Sequence, residues 1–241
     1  MTDQKSVNKG LLYLVSTPIG NFDDITLRAI RTLHEADLIL AEDTRTTGRL
    51  LKHLNIRKKL LSYYSYNEEK RIPFILQRLA LGQKVALVSE AGTPSISDPG
   101  HKIVVAAIQH NFKIIPIPGS SAILAALVAS GLPTDRFLFE GFLPRKKGRK
   151  SRLEYLANEQ STIIIYEASV RIQKTVEDIV NTIGNRYIVL ARELTKNYEE
   201  FIRGFGRDIL EKLQNRKLKG EVVLLLAGKN YHPNLNKILE K

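Results

Sequence analysis

Three stretches of the chain combine glycine, proline and small hydroxyl residues as ligand-binding loops do. They are Ser16-Thr-Pro-Ile-Gly-Asn21, Ser89-Glu-Ala-Gly-Thr-Pro-Ser-Ile-Ser-Asp-Pro-Gly100 and Pro116-Ile-Pro-Gly-Ser-Ser-Ala122. Each follows a segment that reads as a strand. Glycine lets a backbone approach a ligand closely and take a positive φ. Backbone N–H groups at helix starts are unpaired and can hold anionic or polar ligand atoms. Singly, each loop is equally well a plain turn. Three on one sheet edge predict a ligand cleft. No G-x-G-x-x-G and no G-x-x-x-x-G-K-[ST] occurs, which argues against the usual dehydrogenases, kinases and P-loop ATPases. Residues 89–100 form the most unusual loop, stiff and polar enough to preorganise a binding surface.

Ionisable residues offer further chemistry. Glu42, Asp43 and Arg45 close a predicted strand. Adjacent carboxylates on a strand face opposite ways, so a two-metal clamp is not indicated. Arg45 is expected to pair with one of them and open the next helix. Asp43 and Thr44 serve equally as a helix cap or as cleft residues. Glu90 and Asp98 are the other acids beside the loops. The histidines at 34, 53, 101, 110 and 232 lack zinc-site spacing. With no cysteine, disulfides and thiolate chemistry are excluded. In the second half, Tyr166–Arg171, Ala191–Lys196 and Lys219–Glu221 lie beside strand ends. Arg192, Glu193 and Lys196 are either a salt-bridge network or the lining of a cleft between domains.

Positioning these residues requires alternating elements. Strands are predicted at Leu11–Ser16, Leu38–Ala41, Lys59–Ser62, Val85–Ser89 and Phe112–Ile117. Helices are predicted at Thr26–His34, Thr46–Leu54, Ile72–Leu81, Lys102–His110 and Ser121–Ser130. The alternation predicts βαβ units and a mostly parallel sheet. The stretch Gly131–Arg136 breaks the pattern, so a boundary is expected near residue 135, giving domains 1–135 and 136–241. Beyond it, strands are predicted at Phe137–Phe142, Thr162–Tyr166, Tyr187–Ala191, Tyr198–Arg203 and Val222–Ala227. Helices are predicted at Lys150–Ala157, Ile172–Ile183 and Asp208–Leu213. Met1–Lys9 is expected to be disordered and the last dozen residues to fray.

The 241 residues carry 37 Lys and Arg against 25 Asp and Glu, a net charge of +12. Residues 136–241 hold +8 of it, concentrated at Arg145–Arg152, where six of eight residues are basic. Such a field steers polyanions toward the surface; a solubilising loop explains charge alone equally well. No apolar run approaches the ~20 residues of a membrane span, and the N-terminus lacks the apolar core of a secretory signal. A soluble, cytoplasmic protein is expected.

Taken in order, these residues resemble the tetrapyrrole methylase superfamily of S-adenosylmethionine enzymes. The stretches that carry the resemblance are Leu14–Asn21, Ala41–Arg45, Ser89–Gly100, Pro118–Ala122, Tyr166–Ser169, Ala191–Lys196 and Gly220-Glu221. The run Gly92–Gly100 is similar to the branch that methylates the ribose 2′-oxygen of a decoding-region cytidine in small-subunit (16S) ribosomal RNA. Two departures stand out. Glu90 replaces the usual aspartate, and Ala168 replaces a serine. The chain beyond Ala227 is also shorter than in many relatives.

The resemblance implies two α/β domains, the first with a mostly parallel sheet and the second with a mixed one, and a cofactor cleft between them. It implies S-adenosylmethionine as cofactor, with no metal, and a homodimer. It assigns Pro18, Gly92, Thr93, Pro94, Ser97, Asp98, Gly119, Ser120, Ser121 and Ala122 to the cofactor pocket, with Tyr166, Ala168 and Leu194 from the second domain. Glu42 or Glu193 is a candidate proton acceptor; Asp43 is a further catalytic candidate; Arg45 or Lys196 could stabilise the developing oxyanion or hold phosphate. Arg145, Lys146, Lys147, Arg149 and Lys150 are candidates for clamping the RNA backbone. A small-molecule methylase and a binding-only ribosome-assembly factor remain as alternatives.

Overall fold

The computed structural model describes residues 10–233. The expectations for Met1–Lys9 and for the tail from residue 234 lie outside the described residues. Contacts group the chain into two compact units, one ending at Ser121 and one beginning at Ala122.

The first unit holds β1 (Leu11–Val15), α1 (Leu27–Glu35), β2 (Leu38–Ala41), α2 (Thr44–His53), β3 (Leu60–Ser62), α3 (Glu68–Ala80), β4 (Lys84–Val88), α4 (His101–Gln109) and β5 (Lys113–Ile117). The strands form one sheet in the order β3-β2-β4-β1-β5, with every pairing parallel. Parallel sheets are covered on both faces, so their strands are apolar throughout. All four residues of β2 are buried for this reason. Alternation sends Ile39 and Ala41 into one core with Val15, Leu33 and Val88. Leu38 and Leu40 enter the other with Tyr63, Ile75, Leu87 and Ile103.

Helix starts follow capping chemistry. Thr26 Oγ1 accepts the Ala29 N–H at 3.1 Å and opens α1. Asp43 Oδ1 accepts the Arg45 N–H at 2.7 Å, so α2 begins at Thr44, ahead of the expected Thr46. The start of α3 at Glu68 is also earlier than the expected Ile72. Pro73 suggests a first-turn position, but it lies inside the helix, where it cannot donate to the Glu69 carbonyl.

The second unit holds α5 (Ala122–Ser130), β6 (Phe137–Phe142), α6 (Arg149–Leu156), β7 (Thr162–Ala168), α7 (Ile172–Thr182), β8 (Tyr187–Arg192), β9 (Glu200–Phe205), α8 (Gly206–Leu213) and β10 (Glu221–Leu226). Its sheet runs β6-β7-β10-β8-β9. The β6–β7 pair is parallel and the other pairs are antiparallel, which makes the sheet mixed. Leu153, Ile165, Val176, Ile188, Leu224 and their neighbours form its core. The sequence pattern places the boundary after α5, whereas this helix packs on β8 and β10 and belongs to the second unit. Nearly every α5 residue is apolar, so its sequence gives no preferred face from which to assign it.

Candidate functional site

Because the five strands of the first sheet are parallel, the loops after β1, β2, β3, β4 and β5 all emerge at one edge. The three glycine-rich loops are stitched together there. Thr17 N–H donates to Gly92 O at 2.9 Å, and Gly92 N–H returns a bond to Thr17 O at 3.0 Å. Ser16 Oγ and Thr93 Oγ1 lie 3.0 Å apart, and Thr93 Oγ1 donates to Ser120 O at 3.2 Å. Ser120 Oγ in turn donates to Asp24 O at 3.3 Å.

Glycine is obligatory at two of these positions. A Cβ on Gly119 would sit 2.9 Å from Ser16 Cβ. Gly100, at φ +143°, would drive a Cβ into Ser95 Oγ. Ser95 and Ser97 themselves hold left-handed conformations, at φ +70° and +63°. Non-glycine residues rarely do so, and such strain gathers at ligand sites. The hydroxyls of Thr17 and Ser95 are buried without a hydrogen-bond partner. Buried polar atoms normally have one, and both of these belong to the loops gathered at this edge. Neither residue is among those expected in the pocket from the sequence. Their signal lies in their position, since each hydroxyl residue directly precedes or follows a proline of a loop.

Three acids meet at the same edge. Glu42 Oε2 accepts the Glu90 N–H at 3.4 Å. Burial raises the Glu42 carboxyl above its ordinary pKa, and the charges of Glu90 and Asp43 add to this against the Glu90 N–H. Asp98 is pushed up to about 7 by burial first, then by the charge of Glu42, against a bond from Ser89. Desolvated acids of this kind favour a positively charged neighbour. Asp43 stands apart from them. It caps α2 and pairs with the Arg45 guanidinium at 3.3 Å. The Arg45 N–H and guanidinium hold its pKa down. Arg45 itself is 90% exposed. Of the expected pocket residues, Pro18, Gly92, Thr93, Pro94, Asp98, Gly119, Ser120 and Ser121 gather at this edge. Ser97 is exposed there, and Ala122 opens α5 in the second unit.

In the second unit, Glu193 and Lys196 form an ion-pair network, one of the two arrangements their spacing allows. Glu193 Oε1 accepts the Lys196 ammonium and the Glu221 N–H, both at 3.1 Å. Lys196 also reaches Glu221 at 2.9 Å. Burial would raise the Glu193 pKa, but these donors outweigh it and hold it low. A carboxylate so paired is a poor proton acceptor at neutral pH. Arg192 joins Glu200 at 3.3 Å and the Lys219 carbonyl at 2.8 Å. Leu194 is buried, and the Tyr166 ring packs edge-on against Phe139.

The basic segment divides into two roles. Arg145, Lys146, Lys147 and Lys150 are exposed. Arg149 is instead tied into the fold. It donates to Asp178 at 2.7 Å, the Pro144 carbonyl at 3.2 Å and Thr175 Oγ1 at 2.8 Å. The Thr175 hydroxyl in turn donates a hydrogen bond to Glu167 Oε2 at 2.7 Å. The other Glu167 oxygen receives Arg171 at 2.7 Å and the Ala168 N–H at 2.9 Å. A buried polar chain thus runs from the basic segment to the end of β7. Thr175 has no signal in the sequence, where it is an ordinary helix residue, whereas Glu167 belongs to the Tyr166–Ser169 stretch without a role that the sequence reveals.

A family described as Tetrapyrrole (Corrin/Porphyrin) Methylases matches residues 11–210. The chain belongs to the tetrapyrrole methylase family. It is a methyltransferase, and S-adenosylmethionine is its cofactor. The chain is 49% identical over 226 residues to "Ribosomal RNA small subunit methyltransferase I" of Halalkalibacterium halodurans, covering 93% of this chain and 78% of that one. It is 46% identical over 220 residues to the protein of the same name in Thermotoga maritima, covering 91% and 99%. Among solved structures it is similar to a cobalt precorrin-4 methyltransferase, with a TM-score of 0.67, 20% identity and coverage of 90% and 94%. It is also similar to uroporphyrin III C-methyltransferase of Thermus thermophilus, with a TM-score of 0.63, 19% identity and coverage of 90% and 97%. These two likenesses define the fold of this methylase.

The first-sheet edge of the methylase fits the cofactor. The Gly119 cradle admits a ligand close to the backbone, the Thr17 and Ser95 hydroxyls lack partners, and Glu42, Glu90 and Asp98 suit a cation. Among the described residues no group of His, Cys, Asp and Glu could hold a metal ion. No helix among them is long and apolar enough to cross a membrane.

Proposed function

We propose that this methyltransferase modifies RNA of the small ribosomal subunit, at the ribose 2′-oxygen of a decoding-region cytidine. The reading rests on one observation above others. Identity to the ribosomal RNA methyltransferases reaches 49%, more than twice the 20% shared with the precorrin enzyme. The exposed cations at 145–147 agree with a polyanionic acceptor.

When bound, S-adenosylmethionine supplies a methyl group activated by a positively charged sulfur. The protein's part is to align the ribose hydroxyl and to take up its proton. The loops at 16–21, 89–100 and 116–121 hold and orient the cofactor. Glu42 is the carboxylate suited to accept the proton, since its pKa is raised and its Oε1 is not engaged by the Glu90 N–H. Glu193 is locked by Lys196 and Glu221, so that trio shapes the loop after β8. Arg145, Lys146, Lys147 and Lys150 hold phosphate, while Arg149 anchors the segment that carries them. Self-association to a homodimer belongs to the same reading, and a solution mass of twice 27.2 kDa checks it.

The deciding experiment transfers labelled methyl to small ribosomal subunits that lack the native modification, followed by nuclease digestion and mass spectrometry. A 2′-O-methylcytidine in the decoding region is the expected product. Cofactor binding without transfer would move the acceptor elsewhere.

A further inference from the structure

The turn after β3 reads Tyr63-Tyr-Ser-Tyr-Asn67, and nothing in the site described so far uses it. Tyr63 is buried in the core, whereas Tyr64 is 42% and Tyr66 92% exposed. Scattered exposed apolar residues are ordinary. This pair is different because the turn that carries it is rigidly built. The Asn67 N–H donates to Tyr64 O at 2.8 Å and closes the turn. Asn67 Oδ1 accepts the Tyr64 N–H at 2.9 Å, and its Nδ2 donates to Ser62 O at 3.2 Å. The two exposed rings stand 6.4 Å apart, edge to face.

The turn is also bolted to the cofactor loop. Glu68, buried at the start of α3, accepts the Gly100 N–H at 3.0 Å. Its neighbour Glu69 pairs with Lys102 at 2.8 Å. Gly100 and Lys102 close the 89–100 loop and open α4. The Tyr63 N–H reaches the carbonyl of Ala41, the residue before Glu42, at 2.8 Å. The tyrosines therefore project from the edge that holds the loops and the acids. Lys70, in the first turn of α3, is exposed.

We propose that Tyr64 and Tyr66 form a stacking platform for an unpaired nucleobase of the RNA acceptor. This rests on the RNA reading above. Aromatic faces stack on any base, and proteins that bind single-stranded RNA commonly use them so. A rigid turn suits the task because little freedom is lost on binding.

The test measures binding of unmodified small ribosomal subunits and of S-adenosylmethionine to the full chain. Tyr66→Ala and Tyr64→Ala should each weaken RNA binding about ten-fold, with cofactor affinity unchanged. Tyr66→Phe, which keeps the ring, should bind as the parent does. Stacking involves no counterion release, so plots of log affinity against log salt should shift in parallel. Alanine variants that bind RNA normally overturn the proposal. So does a phenylalanine variant as weak as alanine, which would assign the effect to the hydroxyl. An altered oligomeric mass in the alanine variants would make the tyrosines a contact between copies of this chain. A parent protein that neither binds nor methylates the subunits overturns the RNA reading itself, whereas intact variants beside an active parent overturn only the platform.

Discussion

Two carboxylates beside the glycine-rich loops, Glu42 and Asp98, have raised pKa values. Asp98 titrates near 7 in the folded chain because burial and the charge of Glu42 oppose its ionisation, against ~3.9 for an unperturbed aspartate. Between those values Asp98 binds more proton in the folded state than in the unfolded one, so its contribution to stability falls as pH rises. Asp98→Asn removes that dependence. Thermal unfolding should show the variant gaining on the parent from about pH 4 to 7, with a constant difference above that window. Glu42→Gln should lower kcat by ~100-fold or more with a much smaller loss of cofactor affinity, as rapid-quench methyl transfer and calorimetry would show. An unchanged kcat would exclude Glu42 as proton acceptor. At this scale the sequence was only partly legible. Glu42 and Asp98 are recognisable as acids beside loops, whereas the sequence fits Asp43 equally to a cap and to the cleft. The structure makes it the cap, through a 2.7 Å bond to the Arg45 N–H. For Thr17 and Ser95 the sequence shows only a hydroxyl residue beside a loop proline; the lack of a partner for the hydroxyl is a property of packing.

Loops and helices carry the next set of outcomes. Gly119→Ala places a Cβ 2.9 Å from Ser16 Cβ, where the first strand turns into its loop. The two loops must separate, so cofactor affinity should fall several-fold by calorimetry while the second unit's core is untouched. The Arg149–Thr175–Glu167 chain makes a different prediction. Thr175→Val keeps the shape and removes both hydrogen bonds, at a cost of about 1–3 kcal/mol for each buried group left unpaired. Thr175→Ser should restore most of that stability in a denaturant titration. If Arg149 and Thr175 act through one network, Arg149→Met and Thr175→Val will be far from additive. Most elements were legible in the sequence because both sheets are built on strongly apolar strands. The exceptions have local causes. The Asp43 cap advances α2, Pro73 conceals the first turn of α3, and α5 is too uniformly apolar to reveal the unit it joins.

Charge acts on the molecule as a whole. Residues 136–241 contribute +8 of the net +12, and the exposed cations of residues 145–147 are the densest part. Replacing Arg145, Lys146 and Lys147 by Met should weaken RNA binding and lower the salt slope by ~2 if each neutralises one single-strand phosphate. Cofactor binding should not change; an equal loss of both affinities would remove the basic segment from RNA recognition. The two α/β units and the mixed second sheet were readable from the ordered motifs, whereas Arg149 was grouped with the phosphate cations because a basic run does not show which member turns inward. The strand order of the first sheet has a consequence for synthesis. Within its sheet β1 precedes both of its partners in the chain and lies between β4 and β5, so neither neighbour exists until residues 84–88 have been translated. At about 5–20 residues per second, the nascent N-terminal strand waits several seconds with both hydrogen-bonding edges unpaired. During that interval an unpaired apolar strand is open to chaperone capture or to pairing with another nascent chain.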